Sequence, residues 1–185
     1  MPAAKPALRA VRIVDRRIEW IVVHHCGAVY DWRKKIVRHQ SFEEIKRYHM
    51  RPEEAGGKGY LDIGYHRFIE RDGRIRFGRA ENKIGAGVAK FNDYTLHVCC
   101  SGHADFEPFN DKQLHALIQQ CAAWCISKRL SAARVIGHRE TDEHGGPPVF
   151  KTCPGVLTDM ERIRDLVANV LQQKPPPAGA VPGHW

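Results

Sequence analysis

The residues best able to do chemistry are a few histidines and one cysteine placed at the ends of short apolar runs. In VFKTCPGVL, residues Val149 to Leu157, Cys153 lies two positions after Lys151 and just before a Pro-Gly pair that leads into a helical pattern. A thiol beside a cation at a loop-to-helix junction has a lowered pKa, and a thiolate is either a nucleophile or a metal ligand. His24, with His25 beside it, ends the run IEWIVVHHC, and His138 ends ARVIGH. Two imidazoles and one thiolate suit zinc, and three protein ligands with an open fourth position describe a catalytic rather than a structural site. One such ion per chain would activate water as a nucleophile at neutral pH. The same residues admit a cysteine hydrolase, with Cys153 attacking and His24 or His138 as base. They also admit a blue-copper site with Met160 as axial ligand. Met160, however, belongs to the apolar stripe of the last helix, and His144, a further candidate ligand, sits in the loop before Cys153.

The elements that must position these residues can be read from periodicity and punctuation. IEWIVVHHC is a short β-branched run, a buried strand. SFEEIKRYH opens with Ser41 three residues before Glu44, a capping box. GYHRFIERDGRIRFGRA is two strand-like runs about an Asp72-Gly73 turn, a strong hairpin signal. TLHVCCSG is another buried strand. From Asp111 to Lys128, apolar residues recur at Leu114, Leu117, Ile118, Cys121 and Cys125, the stripe of an amphipathic helix that Asn110 or Asp111 can cap. ARVIGH is a further strand, and a last helix is expected from about Val156 to Gln173, with Leu157, Met160, Ile163, Val167 and Val170 on one face. The order β-α-β-β-β-α-β-α predicts a single α/β domain, a central mixed β-sheet flanked by helices, because the hairpin is antiparallel and the later strands need crossovers. This domain is expected over 18–173, after a basic N-terminal arm (1–17) and before a Pro-rich flexible tail (174–185).

Composition sets the outer bounds. The 185 residues are 43% hydrophobic, enough for one ordinary core. No apolar run is long enough for a transmembrane helix or a signal peptide, so the expectation is a chain made in the cytoplasm without an export signal. With 29 Lys and Arg against 21 Asp and Glu the formal charge is +8, and cations gather at Lys5, Arg9, Arg12, Arg16 and Arg17 in the arm and at Arg33, Lys34, Lys35 and Arg38. That favours a polyanionic partner. Nucleic acid is disfavoured by the lack of any recognisable binding motif, which leaves an acidic cell envelope. Without an export signal the expected compartment is reducing, which disfavours disulfides among the six cysteines; none forms a C-x-x-C pair, and Cys99, Cys100, Cys121 and Cys125 read as packing residues.

Taken together and in this order, IVVHHC, GYHRFIERDGRIRFGRA, IGHRE and KTCPG resemble the motif set of the zinc-dependent N-acetylmuramoyl-L-alanine amidases of the type-2 family, which includes phage lysis amidases and the peptidoglycan recognition proteins. The resemblance runs from about Ile18 to Val170. It implies the amidase/peptidoglycan-recognition-protein-like fold and hydrolysis of the amide between N-acetylmuramic acid and the L-alanine of the peptidoglycan stem; the chain is expected to be a monomer. It implies zinc on His24, His138 and Cys153, with Tyr65 of the Gly-Tyr-His motif and Lys151 as active-site residues, and His25 and Asn92 as substrate contacts. Residue chemistry agrees on the roles: a tyrosine hydroxyl can hold the attacking water, and a lysine ammonium can stabilise an oxyanion. The resemblance further implies action on the wall after release, as a phage or prophage endolysin, or in cytoplasmic wall recycling. A non-catalytic peptidoglycan-binding receptor would share the fold, but such members typically lack the cysteine, which this chain keeps. Three departures stand out. Gly87 stands where relatives often have a histidine ahead of the asparagine, His97 stands where they usually have glycine, and the loop 139–150 is long, with a Gly-Gly-Pro-Pro that could rim a cleft.

Overall fold

The computed structural model describes residues 16–173 apart from 28, 32 and 35, so Lys5, Arg9, Arg12, Lys35 and the tail 174–185 lie outside the described residues. Among the described residues, seven strands and three α-helices follow one another: β1 (Trp20–His25), β2 (Val29–Asp31), β3 (Ile36–Arg38), α1 (Phe42–Met50), β4 (Arg67–Ile69), β5 (Ile75–Phe77), β6 (Thr95–Cys100), α2 (Asp111–Lys128), β7 (Val135–Gly137) and α3 (Met160–Gln173). Five strands form a mixed sheet in the order β5-β4-β6-β1-β7, in which only the β4–β5 hairpin is antiparallel. The expected α/β architecture is therefore present. The structure adds a two-stranded ribbon, β2–β3, whose three-residue strands are hidden in the sequence by the basic cluster at its turn.

Local chemistry explains the boundaries. Ser41 Oγ accepts from the Glu44 amide while Glu44 reaches back to the Ser41 amide, which closes the capping box of α1. In the hairpin, Gly73 has φ +85°, and Asp72 Oδ1 accepts from the Arg74 amide at 3.0 Å. The start of α3 corrects the sequence expectation. The helix begins at Met160, because Asp159 Oδ1 accepts from the Arg162 amide at 2.9 Å as its N-cap. Val156 and Leu157 thus lie before the helix and are 62% and 49% exposed, while Met160, Ile163 and Val167 are buried as expected.

The central strands β1 and β6 are buried on both faces, as parallel strands between layers must be. On one face, Ile21, Val23, Leu96, Val98 and Val135 pack against Leu117, Cys121 and Cys125 of α2 and Ile163 and Val167 of α3. At about 1.5–3 kcal/mol per large apolar side chain, this face supplies most of the cohesion. Cys99, Cys100, Cys121 and Cys125 are buried thiols that serve as packing residues. Among the described residues no helix is long and apolar enough to cross a membrane.

Candidate metal centre

β1 and β7 run parallel and adjacent, with Val23 paired to Gly137, so the residues that follow both pairs emerge at the same end of the sheet. His24 and His138 are those residues. Side-chain alternation sends both to the face opposite α2 and α3. Cys153 arrives from the loop before α3, which is fastened on two sides. The Arg139 amide donates to the Cys153 carbonyl at 2.7 Å, and its guanidinium donates to the carbonyls of Thr152, Gly155 and Thr158. On the other side Asp105 accepts from Thr152 Oγ1 at 2.6 Å and from the Val156 amide at 2.8 Å. Gly137 lets the loop come close, since a Cβ there would lie 2.8 Å from Pro154 Cδ.

The outcome is one cluster. Ligand atoms of His24, His138 and Cys153 lie within 4.8 Å of one another, the one such group of three or more His, Cys, Asp or Glu side chains among the described residues. His24 Nδ1 is 3.7 Å from Cys153 Sγ, and the His24 and His138 ring centroids are 4.9 Å apart. With Zn–N near 2.0–2.1 Å and Zn–S near 2.3 Å, ligand atoms of a tetrahedral zinc stand roughly 3.3–3.6 Å apart. The His24–Cys153 separation is close to that spacing, and two imidazoles with a soft sulfur form a donor set that suits zinc.

Electrostatics favour the ligand-ready state of the imidazoles. Burial, then the neighbouring His138, His97, His25 and Lys151, hold His24 well below the ordinary histidine range. Burial and the Lys151 ammonium lower His138 to about 4. Both rings are neutral near pH 7, as metal ligation requires. Burial pushes the Cys153 thiol up to about 12, opposed by a hydrogen bond from the His25 backbone and by Lys151.

The other expected site residues divide. The Tyr65 ring lies 5.2 Å from that of His24, and its hydroxyl is paired with the Cys99 thiol. Lys151 is exposed and close enough for its charge to act on all three cluster residues. His25 points to the other face, where its Nδ1 accepts from the Ala104 amide at 3.1 Å and its ring lies 4.6 Å from His103. Asn92 Oδ1 accepts from the amides of Gly87 and Val88 at 3.0 and 2.9 Å, so it clasps the loop beside the cluster. His144 stacks on Trp20 at 4.2 Å, and Met160 is buried in the aliphatic core, so neither joins the cluster. Sequence reasoning missed Arg139 and Asp105 as the fasteners of the Cys153 loop. Arg139 had a signal in its place beside His138, but nothing local marks Asp105.

His97 is the remaining surprise. It is fully buried on β6, with Nδ1 3.1 Å from His24 Nε2.

Comparison with known proteins places this arrangement. The endolysin of Escherichia phage T7 is 30% identical over 102 residues, covering 51% of this chain and 60% of the relative. The chain thus spans about 60% of the length of the phage endolysins it matches. Peptidoglycan-recognition protein SC1a of Drosophila melanogaster is 24% identical over 139 residues, 75% of this chain and 68% of that protein. Among solved structures, the N-acetylmuramoyl-L-alanine amidase LysC from Clostridium intestinale URNW shares the fold with a TM-score of 0.65 at 20% identity, covering 88% of this chain and 93% of LysC. Residues 14–156 match the N-acetylmuramoyl-L-alanine amidase family, and with the fold and the motifs in agreement the chain belongs to that family.

Proposed function

We propose that the protein is a zinc-dependent hydrolase of the amide bond between N-acetylmuramic acid and L-alanine in peptidoglycan. The observation that carries this reading is the convergence of His24, His138 and Cys153 from three distant segments to within 4.8 Å. Zinc held by these residues would polarise the reacting carbonyl and activate water as the nucleophile. Burial keeps the Tyr65 hydroxyl protonated far above neutral pH, so by exchanging its Cys99 partner for the attacking water it could donate to and orient that water. Lys151, exposed at the rim, can reach the carbonyl oxygen and stabilise the charge that builds up there. Arg139 and Asp105 hold the loop that carries both Lys151 and Cys153, so they set the distance between the cation and the cluster.

The cysteine-hydrolase alternative fits less well. An attacking thiol needs access and a lowered pKa, whereas Cys153 is 8% exposed and burial pushes its thiol upward.

The test is metal content and hydrolysis together, on wild type, Cys153→Ser and Lys151→Ala. The wild type should carry about one zinc per chain and free L-alanine amino termini from peptidoglycan, leaving the lactyl carboxylate on the N-acetylmuramic acid. Cys153→Ser should lose most of the zinc. Lys151→Ala should keep it and lose roughly a hundred- to a thousandfold in rate, the usual effect of removing one oxyanion donor. A wild type that is folded and active with a chelator present and no zinc would sink the reading.

A further inference from the structure

We propose that His97 is a positioning residue that fixes the tautomer and orientation of His24, so that the bare Nδ1 of His24 faces the cluster. The proposal rests on the metal reading above for its consequence, but its geometry stands apart from it.

The argument is a count of protons along one hydrogen-bonded chain. Thr95 Oγ1 has a single proton and donates it to the Phe91 carbonyl at 2.8 Å, an acceptor that cannot reverse. At 2.9 Å from His97 Nε2, Thr95 Oγ1 therefore accepts, and Nε2 carries the proton. In the neutral His97 ring, Nδ1 is then a bare acceptor. It faces His24 Nε2 at 3.1 Å, so His24 Nε2 must carry a proton and His24 Nδ1 must be bare. That nitrogen is the one 3.7 Å from Cys153 Sγ. One backbone carbonyl thus dictates, through a hydroxyl and two rings, which nitrogen is offered to the cluster. Partners that hold a ligating histidine in this way matter nearly as much as the ligand itself.

The His97 ring has no room to turn. Its own backbone amide donates to His66 Nδ1 at 2.9 Å, and the two rings stack with centroids 5.7 Å apart and planes 14° apart. A Cβ at Gly85 would lie 2.5 Å from His97 Cδ2, and one at Gly87 would lie 2.6 Å from His97 Nδ1 and 2.9 Å from His24 Nε2. Asn92 holds the Gly87–Val88 backbone in that position. The two sequence departures, glycine at 87 and histidine at 97, are thereby one feature: the imidazole of 97 fills the space that any side chain at 87 would need.

Two variants and one spectrum test this. His97→Leu fills the volume but removes the acceptor, whereas the side-chain oxygen of His97→Asn can stand in for Nδ1. Long-range proton–nitrogen correlation of wild-type protein as purified should show His24 protonated on Nε2. Zinc affinity should fall about 10- to 100-fold in His97→Leu and stay close to wild type in His97→Asn. His24 protonated on Nδ1 in the wild type overturns the proposal, as does a folded His97→Leu that binds zinc like wild type. Should the wild type bind no zinc, or His24→Ala bind it equally well, the metal reading fails instead, and the tautomer in the spectrum still decides the role of His97. A His97→Leu chain that does not fold leaves the decision to that spectrum and to His97→Asn.

Discussion

Towards α2 and α3 the central sheet presents Ile21, Val23, Leu96, Val98 and Val135, while the opposite face of the same strands carries His24, Thr95 and His97, with His66 beside them at the start of β4. Both faces are dry. The first is held chiefly by buried area, with a few polar ties such as Gln113 Nε2 to the Ser101 carbonyl. The second satisfies its ring nitrogens one by one: His66 Nδ1 accepts from the His97 amide, His66 Nε2 meets the Lys83 carbonyl, and His97 is bonded at both nitrogens. An apolar face has no group that a fall in pH can charge, whereas a network of neutral imidazoles does.

The largest effect that separates the faces is a cavity in the aliphatic one. Leu117 is fully buried between α2 and the sheet. Leu117→Ala should cost about 2–5 kcal/mol of unfolding free energy. Urea midpoints should show the same loss at pH 7.5 and pH 5.5, with zinc content per folded chain unchanged. A loss that grows in acid would mean that the two faces are not independent.

Acid should expose the polar face next. Burial lowers His49 to about 4 and His66 to about 3, against an ordinary 6.5. The unfolded chain takes up these protons as pH falls through 6.5, while the folded chain refuses them. Stability is therefore fully present above pH 6.5 and declines below it, by up to about 1.4 kcal/mol per pH unit for each histidine. The decline levels off near pH 4 for His49 and near pH 3 for His66. The window between pH 6.5 and 5 is diagnostic, because ordinary carboxylates have not yet titrated. Urea midpoints that stay constant from pH 7 to 5 would contradict the assignment of neutral buried rings.

Overpacking sharpens the comparison further. Gly87→Ala drives a methyl towards two imidazole nitrogens that cannot move apart without losing their hydrogen bonds. It should cost about 1–3 kcal/mol, and much less in a His97→Ala background, where the space is free. A double-mutant cycle without coupling between 87 and 97 would show that the loop moves aside instead.

The aliphatic face was legible in the sequence and the polar face only in part. Leu117, Ile118, Cys121 and Cys125 recur at helical spacing, and the capping residues Ser41 and Asn110 stand where their helices begin, because these are local rules. The ligand cluster could be suggested from strand-end histidines and the Lys151–Cys153 loop, but its closure depends on β1 and β7 being neighbours, a non-local fact. Sequence distance hid the two fasteners, Arg139 and Asp105. His97 was visible only as an anomaly in an apolar strand, since its partners Thr95, Phe91 and His24 meet through the fold. The expected extension of α3 to Val156 failed for a local reason, the Asp159 cap outweighing an apolar residue at 157.

The smallest effect tests how little one local hydrogen bond matters on the aliphatic side. Asn110 Oδ1 caps α2 through the Gln113 amide at 2.9 Å, and its Nδ2 donates to the Arg71 carbonyl at 2.9 Å. Gln113, fully buried, also ties the helix to the sheet by donating from Nε2 to the Ser101 carbonyl at 2.8 Å. Asn110→Ala removes the cap but leaves that tie and the apolar stripe, so the cost should be about 1 kcal/mol. Hydrogen exchange should quicken at the first-turn amides of α2 and stay unchanged at Cys121 and beyond, since fraying is confined to the exposed end of a helix whose other turns are packed. A loss above about 3 kcal/mol, or faster exchange along the whole helix, would mean that α2 is held by its terminus rather than by its buried face.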